Sequence, residues 1–449
     1  VTLTFTDIFC GAGGSSNGLV AAGMELKLAA NHWVRAIETH AANHPNAEHL
    51  CADVNNYDMR RLPTTDILWA SPICTEISPA GGRKRSRTRG QLDLLAHGSV
   101  PDAAWERTRA TAYDVIRATE VHRYKAILCE NVVEFATDWE LFDWWRTGME
   151  LLGYRSQVVS ASSAHIGGDG NVHAPQWRDR IYIVFTHTGI PLPDLRPAPF
   201  AHCDRCDRDV AAVQSWRNGR TIGKYRQQYD YRCPDHACRG ALVEPYIRPA
   251  ADIIDWSNTG SRIGDRPRPL VETTLDRIRA GLATHATATD GLLVPCGGGW
   301  NETPTTTAEP MRTRMANPKG YEGLFTQPFV IEYRRNGGAE SVERPLATVT
   351  ANGNHHGLVI PYRKSAVKTT AEPLHTMSTV DSAGLLLPEP ALEDCYFRML
   401  QPREQLLAQR FPTDYIVHGN KGEQTMQAGN AVSANVAQWI GQRVMAVLS

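Results

Sequence analysis

The chain has no apolar run of 18 residues anywhere in its 449, so no membrane-spanning helix is expected. It has no basic segment ahead of an apolar one at its start. Val1-Thr2-Leu3-Thr4-Phe5 leads straight into a strand pattern, which argues against a secretory signal. Neither charge sign is in excess: Lys plus Arg number 47, Asp plus Glu 48, and the net charge is −1. Bulk electrostatics therefore do not announce a polyanion partner. With no secretory signal, the ten cysteines point to a reducing, cytoplasmic setting rather than to disulfides. A leading Val fits a GTG start and hence a bacterial or phage gene. What is present, 42% hydrophobic and 21% charged residues, suits a soluble globular protein of two or three domains.

The first half reads as alternating strands and helices. Thr2 to Phe9 is a buried-strand pattern, Cys10-Gly11-Ala12-Gly13-Gly14-Ser15-Ser16 a turn, and Gly18 to Met24 a short helix. Glycines there let the backbone approach a ligand that a Cβ would repel. The spacing is not the usual dinucleotide one. A second strand, Leu26 to Ala30, ends in Asn31-His32-Trp33, where an acid gripping ribose hydroxyls is the usual expectation. A helix over Ala36 to His44 and a third strand end at Cys51-Ala52-Asp53-Val54 follow. Strand four, Asp66 to Ala70, delivers Ser71-Pro72-Ile73-Cys74-Thr75-Glu76-Ile77-Ser78. In an open parallel sheet, chemistry gathers beyond the carboxyl ends of strands, which places Cys74 well for a nucleophile.

Arg83, Lys84, Arg85, Arg87 and Arg89 crowd the next loop. Such a run is ordinarily a solvated surface. Beside a nucleophile it reads as a phosphate-gripping loop. A helix over Ala103 to His122 and a strand over Tyr124 to Cys129 lead to Glu130-Asn131-Val132, a carboxylate facing the same rim. A helix over Trp139 to Leu152 and a strand over Ser156 to Ala161 come next. Gln176-Trp177-Arg178-Asp179-Arg180 then precedes the strand Ile181 to Phe185. Arginines two apart on extended backbone share a face.

After Pro191, prolines mark a linker. Cys203-Asp204-Arg205-Cys206 and Cys233-Pro234-Asp235-His236-Ala237-Cys238 then have the spacing of a four-thiolate structural Zn2+ ribbon. The alternative is four reduced thiols in a loop-rich subdomain. An internal repeat follows: Pro310-Met311-Arg312-Thr313, Pro345-Leu346-Ala347-Thr348 and Pro373-Leu374-His375-Thr376, with Arg266-Pro267-Arg268-Pro269-Leu270 read as an earlier, degraded copy. Its period is on the order of 30 residues, and each copy leads to a Gly-Leu step into an apolar strand. Near the end, Arg398-Met399-Leu400-Gln401-Pro402-Arg403-Glu404 is expected to open a helix. Gln427-Ala428-Gly429-Asn430-Ala431-Val432 is expected to begin a last one, Ser433 to Val447.

In this order the motifs resemble the DNA cytosine-5 methyltransferases, over roughly residues 1–190 and 395–449. The resemblance implies an α/β fold: a Rossmann-like S-adenosylmethionine-dependent methyltransferase sheet with a second, β-rich target-recognition domain. The catalytic part would be 1–190, the recognition domain 191–395 and the C-terminal return 396–449. It implies Cys74, Glu130, Arg178 and Arg180 as catalytic residues. Around S-adenosylmethionine it implies Asp7, Phe9, Gly11, Gly13, Gly14, His32, Trp33, Asp53, Val54, Asn430 and Val432. For DNA it implies Ser78 and the five basic residues of the following loop. The zinc segment would be an insertion, since the family usually lacks one. Two departures stand out: His32 where the family has Glu, and Pro72-Ile73-Cys74-Thr75 where it has Pro-Pro-Cys-Gln. The expected activity is methyl transfer to cytosine C5 in double-stranded DNA by a monomer, with the base flipped out. A catalytically silent DNA-binding relative, an RNA cytosine methyltransferase and a pocket for a modified S-adenosylmethionine remain alternatives.

Overall fold

A computed structural model describes residues 2–72, 102–168, 170–258, 260–284, 292–296, 303–313, 321–326, 330–331, 339–340, 358–361, 383–386 and 392–449. Cys74, its neighbours Ile73 and Thr75, Ser78 and the basic stretch 79–90 lie outside these residues. So do the repeat copies at 345–348 and 373–376.

The N-terminal half is built on β1 (Thr4–Ile8), β2 (Glu25–Asn31), β3 (Glu48–Cys51), β4 (Ile67–Ala70), β5 (Ala126–Asn131), β6 (Tyr154–Ser162), the short β7 (Gln176–Trp177) and β8 (Asp179–His187). Seven of them form one sheet in the order β3-β2-β1-β4-β5-β8-β6. The pairs from β3 through β5 are parallel, and β8 runs antiparallel to both β5 and β6.

The helices on this half are α1 (Gly14–Ala21), α2 (Val34–Asn43), α3 (Asp102–His122), α4 (Val133–Thr137) and α5 (Phe142–Leu151). Ile-Leu-Trp-Ala of β4 is apolar throughout because both faces of the sheet are covered. Leu68 and Ala70 join Val115, Phe135, Trp145 and Met149 on one face. Ile67 and Trp69 join Leu19, Val436, Trp439 and Ile440 on the other. Strand alternation then assigns the rim residues. Glu130 follows Leu128, and Arg180 precedes Tyr182, so both belong to the second face.

Beyond β8 lie β9 (Phe200–Cys203), β10 (Arg208–Ala211), β11 (Val213–Trp216), β12 (Tyr229–Arg232) and β13 (Leu242–Val243), the strands of the cysteine segment. The repeat region contributes β14 (Ser261–Arg262), α6 (Glu272–Thr284), β15 (Leu292–Cys296), β16 (Thr305–Thr306), β17 (Met311–Arg312), β18 (Tyr321–Thr326), β19 (Val330–Ile331), β20 (Ala339–Glu340), β21 (Leu358–Pro361) and β22 (Ala383–Leu386). All four expected Gly-Leu steps meet strands, at β15, β18, β21 and β22. β23 (Tyr396–Met399) closes a five-stranded sheet, β14-β23-β18-β15-β16. The chain ends in α7 (Pro402–Leu407), α8 (Lys421–Asn430) and α9 (Ala434–Leu448). No helix among the described residues is long and apolar enough to cross a membrane.

The C-terminal return corrects two expectations. Arg398 to Met399 is strand, not the start of a helix. The helix begins at Pro402, whose fixed φ and missing N–H suit a first turn. Glu404 accepts from the Gln401 N–H at 2.7 Å and pairs with Arg398 at 2.6 Å, both side chains buried. Gln427 to Asn430 likewise ends α8, a helix absent from the sequence reading. Extended Ala431 to Ser433 separates it from α9. The last helix packs on the first. A Cβ at Gly18 would sit 2.5 Å from Ala437 Cβ and from the Ala434 carbonyl oxygen, so α1 and α9 cross at contact distance.

Candidate active site

The turn after β1 is held from below. Asp7 is fully buried, and the Ser15 and Ser16 hydroxyls donate to one of its oxygens at 2.6 and 2.7 Å. It therefore braces the turn from beneath. A consistent proton order extends this contact. With Ser16 donating to Asp7, His40 Nε2–H donates to Ser16 Oγ at 3.0 Å, and His49 Nε2–H donates to His40 Nδ1 at 2.9 Å. Gly14 is the tight point, since a Cβ there would fall 2.0 Å from the Val432 carbonyl oxygen. Gly13 needs φ +91°, and Phe9 itself sits at φ +66°.

Burial raises the Asp7 carboxyl from 3.8 to about 7, with the two serine hydrogen bonds opposing. A folded-state value above the unfolded one means the native state holds the extra proton. This contribution is present below pH ~4 and is lost as pH rises through about 7. The neighbouring histidines act in the opposite sense. Burial, and then His49, lowers His44 to about 4, so its contribution is lost as pH falls. Asp7→Asn removes only the Asp7 contribution. Relative to the parent, the variant is expected to gain on the order of 1–4 kcal/mol between pH 4 and 8, read from thermal unfolding across that range.

A cavity of about 280 Å³ lies beyond the carboxyl ends of β1 to β3, lined by Phe9, His32, Ala52, Asp53, Val54, Asn55 and Thr111. It gathers four residues expected at the cofactor: Phe9, His32, Asp53 and Val54. Asp53 also accepts from Asn55 N and Asn56 Nδ2, at 3.1 and 3.0 Å, leaving acceptor capacity on the carboxylate. Trp33 is half-buried at the N-cap of α2 and is not part of this lining. Gly11 has open space where a Cβ would stand. Val432 is buried, while Asn430 is exposed at the end of α8. Thr111 was not foreseen, because nothing local to α3 marks a residue that only packing brings to the cavity.

The acid and the guanidinium meet. Arg180 Nε lies 3.1 Å from Glu130 Oε1, with side chains only 12% and 8% exposed. Arg178 is buried and donates to the Ala431 carbonyl at 2.6 Å, tying the strand to the segment between α8 and α9. The alternation of Arg178 and Arg180 onto one face was legible, but their separate partners were not. Asn131 Nδ2 donates to the Pro72 carbonyl at 3.2 Å. The last described residue before the Cys74 segment is thus held beside Glu130.

The family model for C-5 cytosine-specific DNA methylase matches residues 3–215 and 305–446. The chain belongs to this family. The unmatched stretch, 216–304, contains the second cysteine pair, whereas the first lies inside the matched residues. The chain is 28% identical to the type II methyltransferase M.AgeI of Thalassovita gelatinovora over 203 residues, 43% of this chain and 41% of that protein. It is 27% identical to M.NlaX of Neisseria lactamica over 181 residues, 40% of this chain and 50% of that one. The chain thus spans half or less of the length of either relative. Among solved structures it is similar to Dnmt2 methyltransferase of S. pombe, at 12% identity and TM-score 0.47, covering 100% of this chain and 99% of that chain. The methyltransferase EhMeth of Entamoeba histolytica gives 11% identity and TM-score 0.48, at 100% and 99% coverage.

Cys203, Cys206, Cys233 and Cys238 converge, with all sulfur atoms within 4.8 Å of one another. Cys203 and Cys238 Sγ are 3.8 Å apart, and Cys206 and Cys233 Sγ are 4.0 Å apart. Tetrahedral metal–sulfur bonds of ~2.3 Å put sulfurs ~3.8 Å apart, so the donor set fits one ion.

Proposed function

We propose that this methylase transfers a methyl group from S-adenosylmethionine to C5 of cytosine in a specific sequence of duplex DNA, acting as a cytoplasmic monomer. The observation carrying this reading is the buried Glu130–Arg180 pair at the carboxyl rim of a sheet whose neighbouring strand ends line a cavity with Phe9, His32 and Asp53. Cytosine C5 is a poor nucleophile. Attack of Cys74 Sγ on C6 makes the base an enamine and moves charge to N3 and O2. Glu130 serves N3 and the exocyclic amine, and Arg180 serves O2. Bound S-adenosylmethionine supplies the electrophilic methyl group. A base then takes the C5 proton and the thiolate leaves. A cytosine inside a duplex is out of reach, so the target is flipped out, and Ser78, Arg83, Lys84, Arg85, Arg87 and Arg89 grip the surrounding backbone.

The cofactor contacts proposed at the cavity are those of Phe9, His32, Asp53 and Val54, with Trp33 flanking them. Gly11, Gly13, Gly14, Asp7, Asn430 and Val432 shape or border the turn. Sequencing of methylated cytosines in DNA exposed to the purified protein tests activity, base and context together. The expected result is 5-methylcytosine in one recurrent context. A second reading, a silent DNA-binding relative, is favoured by exposed His32 lining the cavity where an acid is expected. DNA that is bound but unmethylated would select it.

The cysteine cluster is proposed to hold a structural Zn2+. Four adjacent thiolates close the coordination shell, which leaves no position for a reacting water. The subdomain's own core is small, built of residues such as Ala201, Tyr229, Tyr231 and Val243 around the thiols. Changing Cys203→Ser together with Cys206→Ser is expected to take zinc from about one ion per chain towards none. Metal analysis measures this, and hydrogen exchange over 200–246 is expected to accelerate alongside it.

A further inference from the structure

The cysteine subdomain was expected within the recognition region, yet it seats on the catalytic sheet. Trp177 and Asp179 alternate with Arg178 and Arg180, so they face the opposite side of the strand. That side takes the insertion. Tyr225 stacks on Trp177 with ring centroids 5.9 Å apart, and its N–H donates to Asp179 Oδ1 at 3.2 Å. Gly223 N–H donates to Ser160 Oγ at 3.1 Å, and Gln214 Nε2 donates to the Ser160 carbonyl at 2.9 Å. Ile222 packs against the core that contains Val132, Val133 and Phe135. Lys224 Nζ lies 2.8 Å from Oε1 of buried Glu134, on the helix that follows the Glu130 strand directly. The hairpin between β11 and β12 therefore grips both segments that carry the reacting pair, β5 with α4 and the start of β8.

We infer that the inserted subdomain is the rear wall of the active site. Lys224 and Tyr225, clamped on Glu134, Asp179 and Trp177, fix the positions at which Glu130 and Arg180 emerge on the other face. Lys224 is a positioning residue and meets no substrate. The physical reason is the stiffness of a two-sided sheet. A strand backed by a stacked ring, beside a helix held by a partly buried ion pair, resists shifting along its axis, and an error of ~1 Å in a reacting group can cost a hundredfold in rate. Loading of the cysteine cluster would then reach the chemistry through this hairpin, with no added contact to DNA.

For its activity readout the inference rests on the methyl-transfer reading. The test uses the full metal-loaded chain and three variants: Lys224→Met, Glu134→Gln and the reversed pair Lys224→Glu with Glu134→Lys. Single-turnover methyl incorporation is measured at saturating DNA and S-adenosylmethionine, together with DNA affinity and zinc content. Lys224→Met and Glu134→Gln are each expected to slow the single-turnover rate by about ten- to a hundredfold, with DNA affinity and zinc within about twofold of the parent. The reversed pair is expected to recover most of the rate. A rate within about twofold of the parent in both single variants overturns the inference, as does a rate loss that only follows loss of zinc. A double-mutant cycle between Lys224 and Glu134 in thermal unfolding reads the clamp without methyl transfer. If the parent protein methylates nothing, the activity reading fails by itself. Coupling in the cycle then supports the clamp, and additivity overturns it.

Discussion

Cys74→Ala is expected to lower methyl incorporation by at least about four orders of magnitude while changing duplex DNA affinity by no more than about threefold. The asymmetry follows from what the sulfur does. In the proposed mechanism, the ring acquires no electron density at C5 without a covalent bond to C6, and neither Glu130 nor Arg180 would substitute for it. Affinity comes chiefly from backbone phosphate contacts, which an alanine at 74 leaves in place. The rest of the site is independently anchored, since Asn131 holds the Pro72 carbonyl and Arg180 holds Glu130. Radiolabelled methyl incorporation and a DNA-binding titration on the same preparation check both halves. Substantial residual transfer would remove the thiol from the mechanism.

Arg180→Ala carries the next largest effect and acts on two quantities. If Arg180 meets the charge developing on O2, as proposed, its removal is expected to cost about 10²- to 10³-fold in kcat. It also leaves Glu130, 6% exposed, without its ion pair. Breaking a buried pair from one side typically costs ~3–5 kcal/mol, so a marked fall in Tm should accompany the rate loss. Replacing Glu130 by Gln at the same time relieves the stranded charge. The double variant is expected to recover much of the Tm and none of the rate. Recovery of both would mean that the pair is structural only.

The catalytic sheet was legible because its signals are local and repeated. β4 is apolar at every position, as a strand covered on both faces must be, and β1 runs into glycines that only a tight turn requires. The order Gly-rich turn, Cys74, Glu130-Asn131-Val132, Arg178-x-Arg180 and Asn430 carried the family. Helix boundaries were less legible. Arg398 and Met399 carry no strand signature of their own, and are strand because Phe397 and Met399 pair with β18. Gln427 to Asn430 ends one helix and does not begin another, because the extended Ala431 offers its carbonyl to Arg178.

By itself the sequence displayed most strands and helices of the first half in their order, and the spacing of the four cysteines that converge. Those depend on side-chain type and short-range periodicity, which a linear chain displays. Tertiary structure alone decided that Asp7 is enclosed beneath its turn and that Thr111 reaches the cavity. It also decided that the cysteine insertion packs on the sheet behind Arg180. Each depends on which face of a strand meets which distant segment, and no local pattern records that meeting.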